Sequence, residues 1–85
     1  MTEPEIKDAV FNVLRKIAPE ADLSSLRPDE NLREALDIDS FDFLQFIIGL
    51  HESLKIEIPE SDYSQLSTLT GVLRYLAVHR PGSEP

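Results

Sequence analysis

The 85-residue chain has no cysteine, no tryptophan, one methionine and three glycines. Without cysteine, no disulfide can brace the fold and no thiolate can serve as nucleophile or metal ligand, while the redox compartment leaves no trace. Three scattered glycines cannot build a phosphate-cradling loop. Two histidines, His51 and His79, supply no zinc pair. Basic residues are also scarce, eight against sixteen acids, for a net charge of −8. Phosphate backbones need a basic surface, so nucleic acid is not the expected ligand. No apolar run approaches the roughly 18–20 residues of a membrane span. "MTEPEIKD" at the start is acidic and lacks the apolar core of a leader. The expectation is a soluble cytoplasmic domain over residues 1–80 with a flexible tail at 81–85. A core of this size is modest, since a small chain buries only about two-thirds of its unfolded surface. Nothing demands more than a monomer.

The charge that is present is unevenly placed. Between Asp29 and Asp62 stand ten acids and two bases, Arg33 and Lys55, so this segment carries the whole net charge. A one-sided acidic field favours basic protein partners and fast, salt-sensitive encounters.

Spacing predicts helices. "TEPE" at Thr2–Glu5 has the capping-box pattern. Ile6, Val10, Val13, Leu14 and Ile17 then form one apolar stripe, which Pro19 closes. A long connection follows, with Leu23, Leu26, Leu32 and Leu36 placed to pin it to a core and a short helical turn at Leu32–Leu36. Connections of about 20 residues are unusual in compact domains and often functional. A second main helix opens at Asp39 or Ser40, with Leu44, Ile47, Ile48 and Leu54 as its core stripe, His51 on the same side, and Phe43, Phe46 and Leu50 broadening it. "LKIEIP" alternates like a strand but has no partner strand, and reads as an extended loop. "PESDYSQL" suits a helical turn. Ser67 or Thr68 caps a last helix with stripe Leu69, Val72, Leu73 and Leu76, and Gly71 within it implies close packing. The fold class is all-α: a small bundle of three main helices plus one short helix, with a long loop between helices one and two.

The chemistry-bearing stretch is "DIDSFDF", where Ser40 stands among Asp37, Asp39 and Asp42 with Phe41 and Phe43 beside it. A Ser-His-Asp reading fails on distance. Ser40 and His51 share a helix face but lie about 16 Å apart at 1.5 Å per residue, whereas a nucleophile and its base must touch. The aspartates lack the loop pattern of a calcium site. No catalytic residue and no metal ligand set emerges, and the chain reads as a non-enzyme. Ser40 or Asp39 could simply cap the helix. That does not account for Phe41, an aromatic at the edge of the core stripe that is expected to be partly exposed. A phosphate ester on Ser40 would lie against the free N–H groups and positive end of the helix. The aspartates oppose it, unless they serve to attract a cationic modifying enzyme or its metal.

"LREALDIDSFDFLQFIIGLHESLKIEIPESDYSQLSTLTGVLRYL", Leu32–Leu76, resembles the acyl carrier protein family, the phosphopantetheine-binding domains. "DSF" at Asp39–Phe41 stands for the family's D-S-L, and "IEIP" at Ile56–Pro59 for its I-x-I-P; the likeness extends over nearly the whole chain. The resemblance implies a four-helix carrier without catalysis of its own. Ser40 would receive 4′-phosphopantetheine from coenzyme A through a magnesium-dependent phosphopantetheinyl transferase, and Asp39 would belong to the sequence the transferase reads. The arm's thiol would hold acyl groups as thioesters for fatty-acid, polyketide or related lipid biosynthesis, and would supply the sulfur that the chain lacks. Helix two would meet basic docking patches on acyl-loading and acyl-processing enzymes through Phe41, Asp42, Gln45, Ile48 and Glu52. Ile47, Leu50, Leu54, Ile58, Leu66 and Leu73 are candidates for an acyl pocket, with ordinary core packing as the alternative for each. An aminoacyl or peptidyl carrier, and a noncovalent helical interaction module, are the competing functions. The chain departs from fatty-acid carriers at Asp37, where Gly is usual, at Gln45 and His51, where acids are frequent, and at Tyr63, where a small residue is common and where tyrosine would reshape a pocket. These mark a specialised, freestanding member. His51 beside Glu52 suggests either pH-modulated docking or a passive histidine.

Overall fold

The computed structural model describes residues 2–79. Helix α1 (Glu3–Ile17) is followed by a 3-10 turn (Leu23–Ser25), the short α2 (Leu32–Leu36), α3 (Ser40–Leu54), a 3-10 segment (Glu60–Leu66) and α4 (Leu69–Val78). No strand forms among the described residues. "LKIEIP" is an extended loop, because its backbone meets no partner to pair with. The anticipated tail at 81–85 lies outside the described residues.

The local signals act as their chemistry dictates. Thr2 accepts the Glu5 amide while Glu5 returns to the Thr2 amide at 2.8 Å, a reciprocal capping box. The Thr2 amide, and after it the Thr2 hydroxyl, hold the Glu5 carboxyl below its ordinary range. Asn31 caps α2 through the Glu34 amide and Thr68 caps α4 through the Gly71 amide. The two long-loop leucines of α2, Leu32 and Leu36, are buried, and Leu23 and Leu26 pack half-buried against the same core. The loop is tied down by backbone as well. The Leu32 amide donates to the Ser67 carbonyl at 2.8 Å, Thr70 donates to Pro28 at 3.0 Å, and Asn31 bridges to Thr68. These bonds fasten α2 to the entrance of α4.

Ile6, Val10, Val13 and Leu14 of α1 are buried as their spacing requires, and Ile17 is half-buried. In α3 the expected phase needs correction. Phe46, Ile47, Leu50 and Leu54 form its buried face, whereas Leu44 and Ile48 are each 39% exposed. Apolar residues occupy more than half of this helix's circumference, so spacing alone leaves its rotation open. α1 fixes it. Gly49 approaches α1 so closely that a Cβ there would sit 2.6 Å from Val13 Cγ1. In α4, Tyr75 joins Leu69, Val72 and Leu76 in the core, and Leu73 is only half-buried. Gly71 packs as expected: a side chain there would run into the Gln65 carbonyl.

Candidate functional site

The α2–α3 corner positions Ser40. Asp37 ends α2 in the left-handed conformation, φ 54°, a region glycine enters freely and a Cβ disfavours. Its amide and that of Ile38 both return to the Arg33 carbonyl, the latter at 3.0 Å. The chain thus turns sharply within three residues and delivers Asp39 in extended conformation at the mouth of α3. The Asp39 carboxylate accepts the Asp42 amide at 2.9 Å. Asp39 is therefore the cap, and Ser40 is the first residue inside the helix. Ser40 is exposed, and its hydroxyl makes no hydrogen bond to another described residue.

Beside Ser40 lies an open groove of about 610 Å³ between α2, α3 and the 60–66 segment. Its apolar wall is Phe41, Phe43 and Leu44; its polar rim is Asn31, Arg33, Glu60, Ser64 and Ser67, with Tyr63 at the far side. Phe43 leans on Phe46 with ring centroids 6.0 Å apart, so the wall is anchored in the core. The far side is held by the Tyr75 hydroxyl donating to Asp62 at 2.7 Å. Burial, reinforced by the Asp62 carboxylate accepting its proton, pushes that hydroxyl up to about 12, so the tie stands throughout the neutral range. Tyr63 thus faces the groove beside Ser40.

The expected contact residues divide. Phe41, 65% exposed, and Ile48 share an outward face with Glu52 and the half-buried Gln45. Asp42 is half-buried and instead borders a depression with Ala18, Pro19, Leu36 and Ile38. Leu44, assigned by spacing to the core, lies three residues from Phe41 and four from Ile48 on the outer face. Its spacing carried no signal of this, because the close approach of Gly49 to Val13 that sets the rotation of α3 is a contact between helices. His51 Nδ1 donates to the Ile56 carbonyl at 2.7 Å, fastening the end of α3 to the following loop. Lys55, at φ 57°, completes that helix end.

The six acyl-pocket candidates are packed. Ile47, Leu50, Leu54 and Leu66 are buried, Ile58 and Leu73 half-buried, and none borders the groove beside Ser40. Leu73 lines a separate depression between α1 and α4 with Ile6, Lys7 and Ala77. Among the described residues no group of His, Asp or Glu could hold a metal ion, so Asp37, Asp39 and Asp42 do not converge, and no helix is long and apolar enough to cross a membrane.

The family described as "Phosphopantetheine attachment site" matches residues 8–76. The chain is similar to the acyl carrier protein of Lactobacillus johnsonii, 31% identical over 83 residues, covering 94% of this chain and 99% of that one. The acyl carrier protein of Chlorobium phaeovibrioides is 29% identical over 77 residues, 89% and 96% of the two chains. That of Campylobacter fetus is 31% identical over 72 residues, 85% and 87%. Since the family match takes in all of α2 and α3 and most of α1 and α4, the chain belongs to the acyl carrier protein family and is a carrier of covalently bound 4′-phosphopantetheine.

Proposed function

We propose that Ser40 is the attachment residue, and that the chain presents acyl groups to partner enzymes of fatty-acid, polyketide or related lipid biosynthesis in the cytoplasm. One observation carries the reading: Ser40 is exposed in the first turn of α3 while Asp39 does the capping. A serine that capped the helix would have its oxygen engaged with an amide. This one is free to be modified without loosening the helix.

The bound group supplies the thiol on which acyl chains travel. The chain's own part is to hold and to present. The amides of the first turn have no carbonyl partner within the helix, and together with the helix dipole they favour a negative charge on the Ser40 oxygen. Asp39 keeps that turn closed and offers a carboxylate to the transferase. Phe41, Gln45, Ile48 and Glu52 form the face toward loading and processing enzymes, with Asp42 at its flank. Acids along the 29–62 segment complement basic docking patches and raise encounter rates. Ile47, Leu50, Leu54, Ile58, Leu66 and Leu73 would line an acyl chain drawn between the helices, which requires them to part by side-chain movement. No residue acts as a catalyst.

The test is intact mass after incubation with coenzyme A, magnesium and a broad-specificity phosphopantetheinyl transferase. The native chain gains one arm and Ser40→Ala gains none, while remaining within about 0.5 kcal/mol of native stability because it loses no cap. A folded native chain that gains nothing with several transferases would leave a noncovalent interaction module. Successful arming followed by charging only with amino acids would move the chain to the aminoacyl carriers.

A further inference from the structure

We propose that Arg33 is the phosphate partner of the arm, a positioning residue that draws the phosphodiester on Ser40 into the groove beside it; this rests on Ser40 being the attachment residue. Among the described residues, Arg33 is the one base that lines that groove. The segment's other base, Lys55, lies beyond the far end of α3, about 22 Å away at 1.5 Å per residue. Arg33 is also uncommitted. The ion pair of the described residues joins Arg27 to Glu30, and the Arg33 side chain makes neither an ion pair nor a hydrogen bond among them.

Charge makes this position consequential. A diester adds a negative charge to a corner that already holds Asp37, Asp39 and Asp42, with Glu60 across the groove. The first-turn amides offset part of that repulsion, and an arginine fork can take two phosphate oxygens at once. The backbone makes its placement firm. The Arg33 carbonyl receives the amides of both Asp37 and Ile38, so the residue belongs to the very turn that aims Ser40. Beyond the phosphate, the groove offers Phe43 and Leu44 to apolar parts of an arm and Asn31, Ser64 and Ser67 to its amides. An arm anchored by Arg33 rests along this groove until salt or a partner releases it.

The test uses the whole chain armed by the transferase, with loading verified by intact mass, and reads the diester by phosphorus NMR. At low salt the native resonance is expected to differ from that of Arg33→Gln, with Arg33→Lys between them. Near 1 M salt, where the screening length is about 3 Å, the three should converge. Coincident resonances of the native and Arg33→Gln proteins at low salt overturn the proposal. So does loading that succeeds on the native chain and fails on both variants, which assigns Arg33 to transferase recognition instead. A native chain that never gains the arm fails at the mass step, and that is the failure of Ser40 as attachment residue rather than of Arg33.

Discussion

Helices α1 and α3 are both 15 residues long, cross each other at Gly49 and Val13, and are built to different ends. α1 is polar on every face but one. It opens with Glu3 and Glu5, closes with Arg15 and Lys16, and so matches its own dipole at both ends. Its apolar stripe goes inward, and Phe11 lies half-buried beneath Lys7. α3 carries more apolar surface than the core can take. Phe46, Ile47, Leu50 and Leu54 fill the interior while Phe41, Leu44 and Ile48 remain outside. An exposed apolar stripe along a helix that begins at Ser40 has no structural use of its own, which is why it reads as a surface for partners. One helix is a structural member. The other divides its residues between a buried face that holds the fold and an exposed apolar face.

That division can be broken most sharply on α3 itself. Phe46→Ala should cost about 3–5 kcal/mol in denaturant unfolding, the usual range for emptying a buried aromatic site. Phe41→Ala should leave stability within about 0.5 kcal/mol and yet slow transferase loading of Ser40 about tenfold, as expected for losing an anchor worth about 1.4 kcal/mol. Equal stability losses for the two would erase the distinction between the faces.

The junction of the helices comes next. Gly49→Ala gains helix propensity but meets Val13, and overpacking of this kind costs about 1–3 kcal/mol. Val13→Ala in the same chain should recover part of that loss. Strict additivity of the two in a double-mutant cycle would mean that α1 and α3 do not set each other's rotation.

Smaller effects separate the two helix entrances. Asp39→Ala should cost about 1 kcal/mol, whereas Asp39→Asn keeps an acceptor for the Asp42 amide and stays near native. Slower loading of the Asn variant at unchanged stability isolates the carboxylate's part in transferase recognition. The smallest change is at the entrance of α1. Folding lowers the Glu5 carboxyl from its ordinary 4.5, so its stabilisation is present above that value and is lost as pH falls through the lowered folded value. Glu5→Gln should flatten this acid-side slope without altering stability at higher acid pH by more than a cap's worth; an unchanged slope would place the acid sensitivity elsewhere.

Much of this molecule is local and was legible as such. The capping box at Thr2–Glu5, the stop before Pro19, the start of α3 at Asp39 and Ser40, and the crowding at Gly71 each depend on residues within one or two turns. Short-range sterics and hydrogen bonds decide them whatever the rest of the chain does. The motif around Ser40, the acidic segment from Asp29 to Asp62 and the family resemblance are properties of order and composition, and they too are complete in one dimension. The serine's freedom was not. Sequence left both Ser40 and Asp39 as candidates for the cap, because both side chains accept hydrogen bonds, and only the turn at Asp37 chose between them.

Three further matters belonged to the tertiary structure alone. Which apolar arc of α3 faces inward depended on Val13 of another helix. The groove beside Ser40 is assembled from α2, α3 and the 60–66 segment, whose walls meet only after Leu32 bonds to Ser67 and Tyr75 to Asp62. Arg33 becomes a neighbour of Ser40 because a left-handed Asp37 folds α2 back onto the entrance of α3. Local chemistry sets where helices begin and end; only long-range packing, which weighs every face against every other, sets what each helix turns toward its neighbours.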